Sequence, residues 1–440
     1  MATSTSLEDR IEIVKASAAG EAVWRLARRL RWQKSTIRKW RQRGRSLGRA
    51  GLESRMGRPA RGAMSSFSAE QRERISQMRQ VHPGWGALTL RTELEQDATL
   101  VQEALPSAAA IGRFLKECGL TQAPETHSPL PQTERHPAGA AHDVWEMDAQ
   151  GYSKVPDVGV VTLINLNDRY SHVRLLSYPC CLGRQRASRH ATTEDYQAAL
   201  RLAFMEWGLP RTLQVDHESV FYDNKSKSPF PTRLHLWLLA LGVTLTFGRV
   251  HQPKDQAMTE RSHQLWTDQV LRGNTFVDWH ALYDSLVQRR DFLNRALPCR
   301  TLGDRPPLMA FPEARHSSQP YRLEYEAELL ALPTVYAYLA QGHWFRLVGD
   351  NGTISLGGHV YSIGLPWRRH QLEITFDAET LLLAFADSAG NVVFHAPICG
   401  ISVSDLMGDW HHFTSLPAFQ LSLPFTWEDQ RLTRLCERAT

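Results

Sequence analysis

At Val144 the spacing of apolar residues changes from helical to alternating, and the order of segments that follows leaves few folds open. Val144–Asp148, Gly159–Leu166 and Tyr170–Ser177 read as strands, with Asn167–Asp168 turning the second into the third. A helix over about Thr193–Trp207 stops at Gly208–Leu209–Pro210. A strand Thr212–Asp216, a helix Leu234–Leu241, a strand Val243–Phe247 and a helix Gln256–Arg272, polar on one side, complete the run.

Three strands, helix, strand, helix, strand, helix is the order of an RNase H-like core, in which the first and fourth strands are neighbours. Asp148 and Asp216, 68 positions apart, would then emerge side by side, with Glu260 arriving from the polar helix. Three converging carboxylates repel one another, and divalent cations between them relieve the repulsion. Oxygen ligands suit Mg²⁺, with Mn²⁺ able to substitute. Two such ions about 4 Å apart activate a hydroxyl on one side of a phosphate and stabilise the leaving oxygen on the other. Each acid alone reads equally well as a strand-end turn former; their joint placement singles them out. Glu146 shares a strand face with Asp148, but Asp148 stands at the Ala149–Gln150–Gly151 turn, while Glu218 and Asp223 fall in the loop after Asp216.

Charge divides the chain unevenly. Residues 1–62 carry sixteen Lys/Arg against five Asp/Glu, a net +11, so the rest of a +5 chain sums to −6. The basic segment suits phosphates, and a solvated arm is the alternative. Val23, Trp24, Leu26, Ala27 and Leu30 form one apolar stripe, Ile37 and Trp40 another. Ser35 reads as an N-cap and Gly44 as a helix stop, giving a helix-turn-helix; a plain helical hairpin has the same stripes. Thr36, Arg38, Lys39, Arg41 and Arg43 would face DNA, with Arg31 and Lys34 in the turn and Arg58 and Arg61 on a Gly/Arg-rich linker. A second unit of this kind comprises Ala69–Arg79, Leu88–Leu94 and a helix after Pro106–Ser107 that carries Arg113, and a Pro-rich linker over 121–140 follows it.

Past the core, short segments from His343 to Phe394, separated by Asp350–Asn351–Gly352, Gly357–Gly358 and Ser388–Ala389–Gly390, predict a small closed β-barrel. The chain of 440 residues thus reads as multidomain: a helix-turn-helix domain with basic linker (1–62), a second, winged-helix-like one (63–130), an α/β RNase H-like core (141–315), a helical connector (316–330), a β-barrel (331–400) and a tail (401–440). No run of about 18 apolar residues is present to cross a membrane, no leader pattern opens the chain, and six cysteines without a CxxC pair point to a reducing compartment.

Trp145–Glu146–Met147–Asp148, Asp216–His217–Glu218–Ser219–Val220–Phe221 and Pro253–Lys254–Asp255–Gln256–Ala257–Met258–Thr259–Glu260–Arg261 resemble the three acid motifs of bacterial insertion-sequence transposases with an integrase-type core, relatives of retroviral integrases and phage Mu transposase. The resemblance spans about residues 20–315. It implies that Asp148, Asp216 and Glu260 are catalytic and bind two Mg²⁺ ions, with Lys254 and Arg261 contacting DNA. It also implies a function: binding terminal inverted repeats, cleaving 3′ ends and joining them to target DNA. Double-stranded DNA, further copies of the chain in a synaptic complex and an accessory ATPase or target-selection protein are the implied partners, in the bacterial cytoplasm at the nucleoid. The 43 residues between Asp216 and Glu260 exceed the family's usual interval, and Asn224–Pro231 reads as the surface insertion that absorbs the surplus. A regulatory DNA-binding protein on an inactive RNase H-like fold is the alternative function, and a nuclease without strand transfer is a third.

Overall fold

The computed structural model describes residues 5–53, 62–97, 104–121, 138–224, 226–248, 257–416 and Phe419. The chain divides into two compact units, Met1–Ser68 and Ala69–Thr440.

The first unit has three helices, α1 (Leu7–Ala18), α2 (Val23–Arg29) and α3 (Lys34–Leu47), around Ile13, Leu26, Ile37, Trp40 and Leu52. Full burial of such side chains contributes about 1.5–3 kcal/mol each. The sequence pattern shows only the last two helices. The first is marked by Ser6–Leu7–Glu8–Asp9, where the Ser6 hydroxyl accepts from the Asp9 N–H and the Asp9 carboxylate from the Ser6 N–H, both at 3.0 Å. Helix α3 differs from expectation at both ends. Gln33, not Ser35, is its N-cap, and it runs through Gly44 to Leu47, ending where Gly48 takes φ 58°. Gly44 serves packing instead: a Cβ there would lie 2.4 Å from Val14 Cγ2 on α1. Trp24, expected on the apolar stripe, is 54% exposed, with Arg25 against its ring.

The second unit opens with α4 (Ala69–Val81), α5 (Ala87–Gln96) and α6 (Ala108–Glu117), closed over Ile75, Leu90, Leu94, Ile111 and Leu115. The central sheet contains β1 (Val144–Ala149), β2 (Ser153–Val155), β3 (Gly159–Asp168), β4 (Arg174–Gly183), β5 (Thr212–Val215) and β6 (Thr244–Phe247). Its order is β2-β3-β1-β5-β6 with β4 also on β3; β1 and β4 run antiparallel to β3, and β5 runs parallel to both β1 and β6. This is the mixed α/β arrangement of an RNase H-like core. The second-to-third strand connection is wider than the expected Asn167–Asp168 turn. Buried Asp168 accepts the N–H groups of His142, Tyr170 and Ser171, so the chain turns over 169–173 and β4 begins later.

Helices α7 (Thr193–Trp207) and α8 (Arg233–Ala240) pack on one face against Trp145, Met147, Ile164 and Leu213. On the other face lie α9 (Ala257–Trp266), a π-helical turn at Thr267–Leu271 and α10 (Trp279–Arg295), packed on Val161 and Leu163. The π turn is where the α4–α6 trio meets the core. Trp85 Nε1 donates to the Gln269 carbonyl (3.2 Å), Arg289 Nε to the Gln269 side chain (2.9 Å), and the Arg289 guanidinium lies 4.3 Å from the Trp85 ring centre. Gly84 allows the approach, since a Cβ there would fall 2.0 Å from the Asp268 carbonyl oxygen. Gly84→Ala is therefore expected to lose about 1–3 kcal/mol of stability, read as a lowered denaturation midpoint of the full chain.

The segments past 340 do not close into the expected barrel. After α11 (Pro307–Ala310), α12 (Glu326–Leu329) and α13 (Leu332–Leu339) come β7 (Trp344–Leu347), β8 (Thr353–Leu356), β9 (His359–Ser362), β10 (Gln371–Asp377), β11 (Leu382–Ala386) and β12 (Val392–Pro397). They make an open four-stranded sheet, β12-β11-β10-β7, and a separate β8–β9 hairpin. Closure is unnecessary because other elements cover the apolar face: Tyr336 of α13 meets Phe376, and Tyr361 of the hairpin meets Phe385. Two short helices, α14 (Val403–Met407) and α15 (Trp410–Ser415), dock on α7, where Gln197 Nε2 donates to the Leu406 carbonyl. Residues 417, 418 and 420–440 of the tail lie outside the described residues. No helix among the described residues is long and apolar enough to cross a membrane.

Candidate active site and nucleic-acid interface

The parallel pairing of β1 with β5 sets Glu146 opposite Gln214; two residues further on, the same register leads to Asp148 and Asp216. Both acids are half-buried at adjacent strand ends on the edge where the strands open into loops. Asp148 Oδ1 accepts from the Ala149 N–H at 2.9 Å, and Asp216 Oδ1 from the Glu218 N–H at 3.1 Å. Burial pushes the Asp216 carboxyl above the ordinary carboxylate range, against the opposing pull of the Glu218 N–H.

Glu218, read from the sequence as a bystander, belongs to the same cluster. It accepts from the Tyr196 hydroxyl at 2.5 Å; burial raises its carboxyl, and the Asp216 charge adds to the rise. The Tyr196 phenol is itself pushed well up by burial and by the negative charges of Glu218, Asp216 and Asp148. Glu146 has a different fate. It is buried and held by Arg169 Nε at 2.6 Å, a structural ion pair away from the loop edge.

Helix α9 lies against β1 and β3. Ser262 and Asn167 hydrogen-bond at 3.4 Å, and Gln150 Nε2 donates to Thr267 Oγ1 at 2.7 Å, fixing the helix and its π turn to the sheet. His263 Nε2 comes to 3.6 Å from Asp148 Oδ2; burial lowers the imidazole's pKa, so it meets the acid uncharged near neutral pH. Glu260 belongs to α9 three residues before His263, but its side chain lies outside the described part. Among the described residues, no three His, Cys, Asp or Glu side chains group closely enough to hold a metal ion. The helical spacing of Tyr196 and the D-x-E spacing at 216–218 were the available signals for the wider cluster.

In the first unit, Arg31, Lys34, Arg38 and Lys39 are exposed, whereas Thr36, Arg41 and Arg43 are half-buried, Arg43 lying against the Trp40 ring. The extension of α3 past Gly44 adds exposed Arg45. At about 100° per residue, Lys34, Arg38, Arg41 and Arg45 form one stripe, with Thr36 and Arg43 on the opposite flank. Val23, Arg38, Arg41, Gln42, Arg45 and Ser46 bound an open cleft of about 460 Å³. Arg113 on α6 and Arg261 on α9 are exposed, while Arg58, Arg61 and Lys254 lie outside the described residues.

Residues 36–115 match the homeodomain-like domain family. Among solved structures, the chain is similar to the HTLV-2 integrase catalytic core domain in complex with magnesium (11% identity, 40% of this chain and 99% of that one, TM-score 0.30). It is also similar to the catalytic core domain of BIV integrase (16%, 39% and 95%, TM-score 0.28). A chain of the simian T-cell lymphotropic virus intasome matches over 70% of this chain and 96% of its own, at 11% identity and TM-score 0.33.

Proposed function

We propose that this chain is a DNA transposase, which binds the inverted repeats of its element and transfers their 3′ ends to target DNA by metal-dependent phosphoryl transfer. The observation that carries the reading is the parallel β1–β5 register, which brings Asp148 and Asp216 to neighbouring strand ends with the Glu260-bearing helix against β1. Half-buried carboxylates close together, raised by burial and, at Glu218, by the neighbouring Asp216 charge, are of a kind that a divalent metal stabilises. Asp148, Asp216 and Glu260 would hold Mg²⁺, which when bound supplies Lewis-acid activation of the attacking hydroxyl and stabilisation of the leaving oxygen. His263 and the Tyr196–Glu218 contact orient the carboxylates, and the Asn167–Ser262 bond holds α9 in place. Joining two DNA ends to one target requires at least two copies of the chain acting together.

The test is direct: a labelled duplex of the inverted repeats flanking the coding sequence, incubated with the full chain, Mg²⁺ or Mn²⁺ and a target plasmid, yields end-cut strands and joined products. Binding with neither cutting nor joining in either metal leaves only a regulatory DNA-binding protein; cutting without joining leaves a nuclease.

Duplex binding depends on the α3 stripe. Arg38→Ala and Arg45→Ala are each expected to reduce the slope of log affinity against log salt by about 1, as one phosphate contact is lost. Fluorescence anisotropy across a salt series measures it, and two unchanged slopes would remove the stripe from the interface.

A further inference from the structure

A cavity of about 280 Å³ opens between the segment after Asp216 and helix α13, and the chemistry proposed above does not use it. Its walls are aromatic. Phe230 meets Trp344 edge-on at 4.8 Å, His235 meets Tyr338 at 5.4 Å, and Tyr222 meets Phe247 at 5.5 Å. Tyr338 is 40% exposed, so a ring at the mouth is open to an incoming group.

Size, position and polarity together select the occupant. The volume stands at the small end of ligand pockets, which run from about 300 to 1,000 Å³, and suits one ring system. Two of its lining rings also reach toward the acidic edge through His217. His217, next to Asp216, lies 5.1 Å from Phe247 and 5.5 Å from Tyr222, and Phe221 packs at 4.9 Å on Tyr196, whose hydroxyl donates to Glu218. The residue after Asp216 thus touches two rings of the pocket wall, which sets the pocket on the β5 side of the acidic edge. The lining further includes the polar residues Asp223 and Gln341, of the kind that meet the polar edge of a base. Arg346 steadies this wall by donating to the Ser228 carbonyl at 2.6 Å and lying 3.4 Å from Asp223.

We propose that this cavity receives one nucleobase, unstacked from the DNA next to the phosphate at the Asp148–Asp216 edge. Base and ring stack, and the base leaves the duplex so that its backbone can bend into the acidic edge. The inference rests on the phosphoryl-transfer reading of that edge. Stacking on an aromatic wall is worth roughly 5- to 150-fold in affinity per base.

The test uses the full chain and the flanking-repeat duplex, with 5-iodo-deoxyuridine placed in turn at each position around the cut site. Photo-crosslinked peptides are mapped by mass spectrometry, with duplex binding followed by anisotropy in parallel. Crosslinks from one position to Tyr222, Tyr338 or Trp344 are expected. Strand cutting should fall roughly tenfold in Tyr338→Ala and be restored in Tyr338→Phe, which keeps the ring. Crosslinks confined to α3 and α6 while binding persists overturn the pocket and leave the transposase reading standing; a pocket that takes an apolar side chain of another protein gives this result. Cutting that is equally low in Tyr338→Ala and Tyr338→Phe overturns the stacking role. No duplex binding at all overturns both proposals together.

Discussion

Asp216→Asn in the full chain is expected to bind duplex DNA as the unaltered protein does and to lose metal-dependent strand cutting by on the order of a thousandfold, since a metal's charge stabilisation is worth several kcal/mol and each 1.36 kcal/mol is tenfold in rate. The substitution keeps the shape of the side chain, and its oxygen can still accept the Glu218 N–H, so the loop after β5 should persist. What disappears is the negative charge at the strand end beside Asp148. Asp148→Asn and Glu260→Gln should lose activity to the same degree. Glu218→Gln separates the cluster further: a loss as deep as that of Asp216→Asn makes Glu218 a fourth essential acid, whereas a loss of less than about tenfold leaves it a positioning residue acting through Tyr196. Glu146→Gln is a poor control, because it removes the charge that faces the buried Arg169 guanidinium and should lower stability rather than report on chemistry. Should Asp148→Asn and Asp216→Asn both retain full cutting on labelled duplex, the acidic centre is misplaced.

Glu326→Ala should cost the second unit a large part of its stability. The carboxylate has no exposed surface, and it accepts from Arg201 Nε at 2.7 Å, Arg201 Nη2 at 2.6 Å, Trp237 Nε1 at 2.8 Å and the Tyr321 hydroxyl. Arg201 in turn donates to the Met407 carbonyl at 2.9 Å and lies 4.7 Å from the Phe413 ring centre. Removing one member leaves a guanidinium buried without its counter-charge, at about 3–5 kcal/mol. The double variant Arg201→Met with Glu326→Leu removes both charges and should recover most of that loss. Denaturation followed by tryptophan fluorescence decides it. A loss under about 1 kcal/mol in Glu326→Ala would mean that water reaches the pair. The consequence concerns architecture: residues 321–326 and 402–415, read as parts of a helical connector and a tail, are fastened to α7 and α8 around one buried charge pair.

The central sheet was legible in the sequence because a strand shows its two faces by alternation and its ends by turn residues. Trp145 and Met147 against Glu146 and Asp148 is such a case, and once the order of elements was read, the adjacency of β1 and β5 followed. The +11 segment and its two tryptophan-bearing helices were legible for a similar local reason. Side-chain partners were not. Nothing near Glu218 in the chain announces Tyr196, 22 residues earlier on α7, and nothing near Glu146 announces Arg169, so both acids were set aside without sight of the partners that hold them. The barrel was misjudged because strand length and turn spacing are the same in an open sheet and a closed one. Closure depends on whether the edge strands find each other or the apolar face finds another cover, and here α13 and the β8–β9 hairpin supply the cover. Gly44 read as a helix stop in the sequence, yet in the structure it makes room for the Val14 side chain, as Gly84 makes room for the Asp268 backbone. Local periodicity is written in neighbouring residues; which distant surface a side chain meets is decided only when the whole chain has packed.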